Sequence, residues 1–323
     1  MSATAGKWAY QKGLQEVGSG CYAYLQPDGS WGWSNAGLVA DGDESLLVDT
    51  LFDLKLTREM LEVMRDAEPR AARIRTLVNT HSNGDHVFGN ELVKGADIIA
   101  SKACAEEMRH DGGAGRLADM KRNAAAMGEA GAFFAEIFAP FDFEGINVTM
   151  PTVTFERELT RKVGDKTVRL IEVGPAHTAG DVLAYVPDDR VIYTGDILFI
   201  EGHPIIWAGP VANWVKACQL MLDLDVDTVV PGHGPITDKS GVAAVKGYLE
   251  YITREARKRY EGGMPLAEAA QDISLADYSS WGDSERIAVN VASLFREFSG
   301  GKTAANVAEL FALMAKLHRA RRK

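Results

Sequence analysis

A run of polar and metal-binding side chains, Thr80–His86, constrains the fold of this chain more than any other stretch. It reads Thr-His-Ser-Asn-Gly-Asp-His and follows an apolar, β-branched segment, Ile74–Val78, that predicts a strand. Successive side chains of a strand point to opposite faces, whereas a loop after a strand can turn two imidazoles, a carboxylate and a carboxamide toward one point. Imidazole nitrogen and carboxylate oxygen are ligands of zinc and of similar divalent metals. The run therefore predicts a metal site at a strand end.

Single histidine or aspartate residues recur in three later loops, each directly after a predicted strand. They are His177 in Gly-Pro-Ala-His-Thr-Ala-Gly-Asp, Asp196 in Thr-Gly-Asp and His233 in Pro-Gly-His-Gly-Pro. Four of the seven histidines fall in strand-end loops of this kind. Because such loops gather at one edge of an α/β sheet, where these folds place their sites, we expect all four loops to meet.

The hydrophobic pattern around the first loop predicts an α/β fold. Residues 18–50 are typical of a β-meander with short turns. Leu54–Ala67 is an amphipathic helix, which Pro69 ends. Together with the strand Ile74–Val78 these segments form a strand–helix–strand unit, which indicates α/β architecture.

Two helical segments lie outside this pattern. Residues 101–134 predict two helices that break at Asp111–Gly113, and residues 259–323 predict three more. Four phenylalanines crowd the far end of the first segment, namely Phe133, Phe134, Phe138 and Phe141. They indicate either a helical core or a hydrophobic lid over the site, and both interpretations stay open.

Composition favours a soluble globular enzyme and argues against several partners. The 323 residues are 46% hydrophobic and 25% charged, which is ordinary for such proteins. A net charge of −10 argues against a nucleic-acid surface. No apolar run approaches the roughly 18 residues of a membrane span, and the N-terminus lacks the apolar core of a signal peptide. Three scattered cysteines fit a reducing compartment, so we expect a cytoplasmic protein with no membrane partner.

The ordered motifs resemble those of metallo-β-lactamase-fold hydrolases, most of all the glyoxalase II-like branch. That family's signature is a Thr-His-x-His-x-Asp-His loop, a later single His, a Gly-Asp and a final Gly-His, and the resemblance covers residues 18 to about 258. It implies a four-layer αββα sandwich with the metal site at one edge. The implied organisation is a catalytic domain at 1–258, with a helical insertion at about 101–141, and a C-terminal helical extension at 259–323.

The resemblance also implies ligands for two metal ions. His81 and His177 would bind the first metal, and Asp196 would bridge the two. The residues implied for the second metal are Asp85, His86 and His233.

Asn83 departs from the family's pattern, because it stands where the family has its second histidine. An amide oxygen is a weaker zinc ligand than imidazole. Three outcomes stay open: two metals with Asn83 or water as a ligand, one metal, or no metal chemistry. We expect one tightly bound Zn²⁺ and a second metal that is weak or absent, with iron or manganese as alternative occupants. His203, in a loop after Asp196, is either a substitute ligand or a packed loop residue.

These expectations point to metal-assisted hydrolysis of an ester, thioester or lactone bond. A bound divalent cation lowers the pKa of its water to about 7 and polarises a carbonyl group. Asp85 is then either a ligand or the catalytic residue that orients the attacking water. The alternatives are a di-iron redox enzyme, a nuclease, which the acidic charge opposes, and a non-catalytic member altered at Asn83.

The sequence indicates a small-molecule substrate without naming it. Trp33, Trp207 and His203 are the candidate substrate contacts, although Trp33 also fits plain hairpin packing. The apolar run Ile205–Trp207 favours an apolar or aromatic acyl group. No oligomeric state is predicted.

Overall fold

The structure, a computed structural model, describes residues 8–110, 112–303 and 305–321. Within these ranges the strands, in chain order, are β1 (Gly13–Gly18), β2 (Cys21–Leu25), β3 (Ala36–Asp41), β4 (Glu44–Val48), β5 (Thr76–Val78), β6 (Asp97–Ser101), β7 (Val153–Phe155), β8 (Glu158–Val163), β9 (Lys166–Glu172), β10 (Val182–Val186), β11 (Val191–Tyr193) and β12 (Thr228–Val230). The α-helices are α1 (Leu54–Ala67), α2 (Gly84–Val87), α3 (Lys102–His110), α4 (Gly113–Arg122), α5 (Gly128–Ile137), α6 (Val211–Asp223), α7 (Lys239–Glu261), α8 (Leu266–Asp272), α9 (Ile287–Phe298) and α10 (Val307–Arg321).

Two β-sheets form the centre of the molecule. The larger has seven strands in the order β1 to β7, and the smaller has five in the order β12-β11-β10-β9-β8. Strands β1 to β4 form an antiparallel meander, and β4 to β7 run parallel. In the smaller sheet β11 and β12 are parallel, and the other pairs are antiparallel. The predicted mixed α/β fold is confirmed.

Side-chain alternation along β4 shows how the larger sheet is covered on both faces. Leu46 and Val48 point between the two sheets, into a cluster that includes Val182 of β10. Leu47 points to the opposite face, into a cluster that includes Met60 of α1. Because β4 is buried on both faces, its sequence is a continuous apolar run rather than an alternating one.

The smaller sheet has the same arrangement. Ala184 of β10 faces the larger sheet, whereas Leu183 lies in the cluster that includes Met221 of α6 and Val245 of α7. The layers are therefore helix, sheet, sheet and helix, which is the predicted αββα sandwich.

Helix α1 shows how local sequence sets the bounds of an element. The Asp53 side chain accepts a hydrogen bond from the Leu56 amide at 2.8 Å and so caps the first turn. Pro69 opens a 3-10 turn directly after the helix. The predicted bounds, Leu54–Ala67, are those observed.

The helical insertion contains three helices where the sequence predicted two. Helix α4 ends at Arg122, a 3-10 turn spans Ala124–Met127, and α5 begins at Gly128. Gly128 has a φ of +61°, which glycine adopts without the strain of other residues. The alanine-rich run favours continuous helix by local propensity, and this turn interrupts it. The predicted break after His110 is present, although Asp111 lies outside the described residues.

The C-terminal helices pack directly against helices of the sandwich and of the insertion. Helix α7 extends to Glu261, so the domain boundary predicted at residue 258 falls in its last turn. Helix α9 packs on α7, and α10 packs on α5 of the insertion. The division into a catalytic domain and an extension stays a prediction. Among the described residues, no helix has the length and apolar character needed to cross a membrane.

Candidate metal centre

Side chains from four strand-end loops meet around one carboxylate. Asp196, after β11, has its oxygens 3.6 Å from Nε2 of His81 and 3.1 Å from Nε2 of His86, which both follow β5. The same carboxylate lies 3.3 Å from Nε2 of His177, after β9, and 3.4 Å from Nε2 of His233, after β12. The structure thus brings together the histidines and the aspartate that the four loop motifs supply.

Two glycines leave room for this convergence. A Cβ atom on Gly232, next to His233, would lie 2.1 Å from Oδ1 of Asp196. Gly195 has a φ of +49°, and a Cβ atom there would lie 2.3 Å from the Thr80 hydroxyl. The Gly-Asp and Gly-His dipeptides therefore need glycine for close approach and not only for a turn.

Asp49, directly after β4, orients the first loop and was not among the predicted site residues. One carboxylate oxygen accepts a hydrogen bond from the Thr80 amide at 2.7 Å, and the other accepts one from the Thr80 hydroxyl at 2.6 Å. Nδ1 of His86 lies 2.9 Å from the second oxygen and donates to it. This hydrogen bond turns Nε2 of His86 toward Asp196, as supporting carboxylates do in metal sites. The sequence feature that could have indicated this role is a single aspartate at the end of an apolar strand.

Backbone carbonyls orient two other imidazoles. Nδ1 of His177 donates to the Ile205 carbonyl at 2.7 Å, and Nδ1 of His233 donates to the Trp33 carbonyl at 3.1 Å. Each bond fixes the proton on Nδ1 and leaves Nε2 for the centre of the cluster.

The buried polar atoms of the cluster fit a divalent cation. Within the described part of the chain, Nε2 of His81, Nε2 of His86 and Oδ1 of Asp196 are buried and make no hydrogen bond. Leaving such an atom unsatisfied costs about 1–3 kcal/mol, which a coordinated cation would offset. The ligand atoms of His81, His86 and Asp196 lie within 4.8 Å of one another, and so do those of Asp85, His86 and His233. Both sets combine imidazole and carboxylate, which suits zinc, iron or manganese.

The charges of the cluster determine which imidazoles must release a proton before they can bind a metal. Burial lowers the pKa of His81 and His177, so these rings are neutral. Burial acts in the same direction on His86 and His233, but the surrounding carboxylates together outweigh it, and the largest contribution among them comes from Asp196. That carboxylate helps raise the pKa of His86 well above its usual range and that of His233 to about 9. A metal that binds these two rings must displace their protons.

Comparison with known proteins gives the family. A sequence model of the metallo-beta-lactamase superfamily matches residues 29–233, well over half of the chain. The chain belongs to the metallo-β-lactamase superfamily. This confirms the resemblance found in the loop motifs, and it shows the superfamily rather than any one activity within it.

Individual members of the superfamily are similar to this chain at low identity. A beta-lactamase-like protein 2 homolog from Caenorhabditis elegans is 24% identical over 225 residues, which are 70% of this chain and 63% of that protein. A hydroxyacylglutathione hydrolase from Brucella anthropi is 38% identical over 56 residues, 17% of this chain and 22% of that enzyme. The matches thus span less than two thirds of either relative. The solved structure of the sec-alkylsulfatase Pisa1 from Pseudomonas sp. shares the fold, with a TM-score of 0.68 and 16% identity over 90% of this chain and 50% of that one.

Asn83, the residue that departs from the superfamily motif, contacts His177. Its side-chain Oδ1 lies 2.8 Å from Nε2 of His177. Because Nδ1 of His177 donates to the Ile205 carbonyl, Nε2 of the neutral ring is an acceptor. The contact is therefore a hydrogen bond when the Asn83 side-chain amide is flipped, which exchanges its oxygen and nitrogen, so that the amide N–H donates to Nε2 of His177. Such a bond occupies the lone pair of His177 that a first metal would need.

Two of the three predicted substrate contacts lie away from the metal centre. His203 is buried, its Nδ1 donates to the Gly282 carbonyl at 2.8 Å, and its ring packs edge-on against Tyr248. The Trp33 ring packs against Phe141 with 4.9 Å between ring centroids. His203 is thus a packed loop residue, whereas Trp33 packs on the insertion rather than within a hairpin, and its carbonyl accepts the hydrogen bond from His233. Substrate contact by either side chain stays a prediction.

A cavity of about 350 Å³ adjoins the cluster. Asp85, Asn83 and the ligand histidines His177 and His233 line it together with apolar side chains from distant parts of the chain. The apolar lining includes Trp31, Phe134, Phe138, Trp207 and Phe311. Phe134 and Phe138 are also buried, so the insertion is both part of the core and a wall of the cavity.

Glu107 of α3 links the insertion to two of the metal loops. Its Oε2 accepts a hydrogen bond from the Ser82 hydroxyl at 2.5 Å and one from the Ala179 amide at 3.3 Å. Ser82 adjoins His81, and Ala179 lies in the loop that carries His177. A single carboxylate therefore holds the two loops that supply the first metal's imidazoles.

We expect Glu107→Gln to weaken metal binding about tenfold, because supporting carboxylates of metal sites contribute 10–100-fold to affinity. Titration calorimetry of the metal-free variant measures this change. Glu106→Gln is the matched control, since Glu106 is exposed on the same helix and bonds Arg109 and His110 of that helix. Equal metal affinities for the two variants would show that Glu107 does not support the loops.

Proposed function

We propose that this protein is a metal-dependent hydrolase that cleaves an ester, thioester or lactone bond of a small molecule. The observation that supports this most is the set of buried, unsatisfied ligand atoms of His81, His86 and Asp196 beside a cavity of about 350 Å³. A cation held there would be accessible to a substrate in the cavity, and pockets of this size accept small organic molecules.

A bound divalent cation supplies an acidified water molecule and polarises a carbonyl oxygen. Asp85 is the residue placed to accept the water's proton. Its Oδ2 lies 3.3 Å from Nε2 of His233, and the side chain lines the cavity. Burial acts to raise the pKa of Asp85, but His86 and His233 outweigh it and hold that pKa below its usual value. The carboxylate is therefore ionised at neutral pH, as a group that accepts a proton must be before the reaction.

The proposed metal content is one tightly bound zinc ion and a second ion that is weak or absent. Asp85, His86 and His233, together with Asp196, would hold the tight ion. The other position would rely on His81 and on His177, whose lone pair faces the Asn83 amide. Iron and manganese suit the same ligands, so the choice of zinc is part of the proposal. The cytoplasmic location expected from the sequence likewise stays a prediction.

The proposal is tested by assaying a chromogenic ester, a thioester and a lactone before and after chelation. We expect hydrolysis of at least one substrate class, loss of that activity with a strong chelator, and its return when Zn²⁺ is added. The control is chelator already saturated with calcium. Activity that survives complete metal removal, or no hydrolysis of any of the three classes with zinc bound, would contradict the proposed function.

A further inference from the structure

The cavity beside the metal centre reaches the last helix of the chain. Val307 and Phe311, on the first turns of α10, line it together with Phe134 and Phe138 of α5. Helix α10 packs directly on α5, so residues about 170 positions apart in the sequence form one wall.

The wall is aromatic and tightly packed. The Phe311 ring lies 6.0 Å from Phe134 and 6.4 Å from Trp31, measured between ring centroids. Phe311 is 9% exposed, whereas Val307 at the start of α10 is 52% exposed. Val307 therefore lies toward the solvent side of the wall, and Phe311 lies on its buried side.

Arg286 is the buried charged residue of the lining outside the metal cluster, and most of its guanidinium is engaged with the protein. Arg286 donates to the His203 carbonyl at 2.9 Å and pairs with Asp283 at 3.1 Å. Its guanidinium lies 4.5 Å from the centroid of the Trp31 ring, and its buried Nε makes no hydrogen bond with the described residues. A charged substrate tail would have to leave water for the aromatic walls, which is unfavourable without a compensating partner. The lining outside the metal cluster also includes Glu107, whose carboxylate bonds Ser82 and Ala179, and Arg116, which is exposed on α4. The aromatic wall that α5 and α10 form therefore favours a neutral, apolar group.

We propose that this pocket holds the apolar acyl group of the substrate and that Val307 and Phe311 determine which acyl lengths fit. The inference rests on the proposed hydrolase function and adds a substrate class to it: esters or thioesters of apolar acids. Burying one methylene contributes about 0.8 kcal/mol, so kcat/KM rises about fourfold per methylene until the chain reaches α10.

The test is a series of straight-chain acyl esters of one chromogenic alcohol, from acetyl to dodecanoyl, hydrolysed by the metal-loaded protein. We expect kcat/KM to rise about fourfold per added methylene, reach an optimum and then fall. Phe311→Ala should move the optimum to longer chains, and Val307→Phe should move it to shorter ones. Val63→Phe is the matched control, because Val63 is 39% exposed on α1 and does not line the cavity. An optimum that stays in place in both pocket variants would overturn the assignment.

A binding measurement separates this inference from the proposed function. Straight-chain amides, from butanamide to decanamide, are titrated into the metal-free protein by calorimetry. Affinity that rises with chain length and shifts in Val307→Phe supports the acyl pocket, even if no ester is hydrolysed and the proposed function fails. Ester hydrolysis with no length dependence in either assay would overturn the acyl pocket and leave the hydrolase function standing. Since Val307 is half exposed, its variant retains the fold and keeps the test informative if Phe311→Ala does not fold.

Discussion

His86→Ala and His233→Ala are each expected to lower bound metal and to reduce hydrolysis at least about 1,000-fold, because a catalytic metal contributes several kcal/mol to transition-state stabilisation. His86 belongs to both groups of candidate ligands, and His233 belongs to one of them. Elemental analysis of the purified variants and kcat/KM on the best ester measure the two effects.

His110→Ala is the control for these variants, since His110 is exposed and its ring bonds Glu106 on its own helix. It should keep the metal content and the activity of the unaltered protein. Retention of both metal and turnover in His86→Ala and His233→Ala would show that the ligands have been assigned wrongly. Thermal stability is a weaker indicator, because the two-sheet core does not depend on the metal centre for its packing.

Asp196→Asn is expected to remove metal binding more completely than any single histidine variant. Its carboxylate lies within 3.6 Å of Nε2 of all four clustered imidazoles. The pKa of Asp196 is held well below its usual value, against burial, by the charges of His233 and His86, so the group is an anion. An amide has nearly the same shape without the charge, which leaves a cation uncompensated in a buried site.

Asp188→Asn serves as the matched control for Asp196→Asn. Asp188 is exposed in the turn after β10 and accepts a hydrogen bond from the Thr167 amide, which asparagine can also accept. We expect Asp188→Asn to bind metal normally and Asp196→Asn to bind none that survives gel filtration. Comparable metal contents in the two variants would contradict the central position of Asp196.

The sequence predicted the parts of the site that depend on strand ends. The apolar run before His81 ends as a parallel strand, and loops after parallel strands meet at one edge, so the meeting of His81 with Asp196 followed from the pattern. The bounds of α1 followed from its amphipathic pattern and from Pro69. These features could be predicted because they depend on neighbouring residues in the sequence or on the geometry of a sheet.

Other features depend on contacts between distant residues, which a single sequence does not show. Asp49 orients His86 from 37 positions away, and nothing in its neighbourhood distinguishes it from any aspartate at a strand end. The contact of Asn83 with His177 spans 94 positions. His203 resembled a substitute ligand because of its spacing from Asp196, but its hydrogen bond to Gly282 holds it in packing with the C-terminal part of the chain.

Metal titration of the metal-free, unaltered protein by isothermal calorimetry tests the account most directly. We expect one tight site per chain for Zn²⁺ and a second site at least about tenfold weaker, because the Asn83 amide competes for the lone pair of His177. Asn83→His, which restores a third imidazole, should strengthen the second site. Two equally tight sites in the unaltered protein would contradict the role given to Asn83, and no zinc binding at all would contradict the metal centre itself.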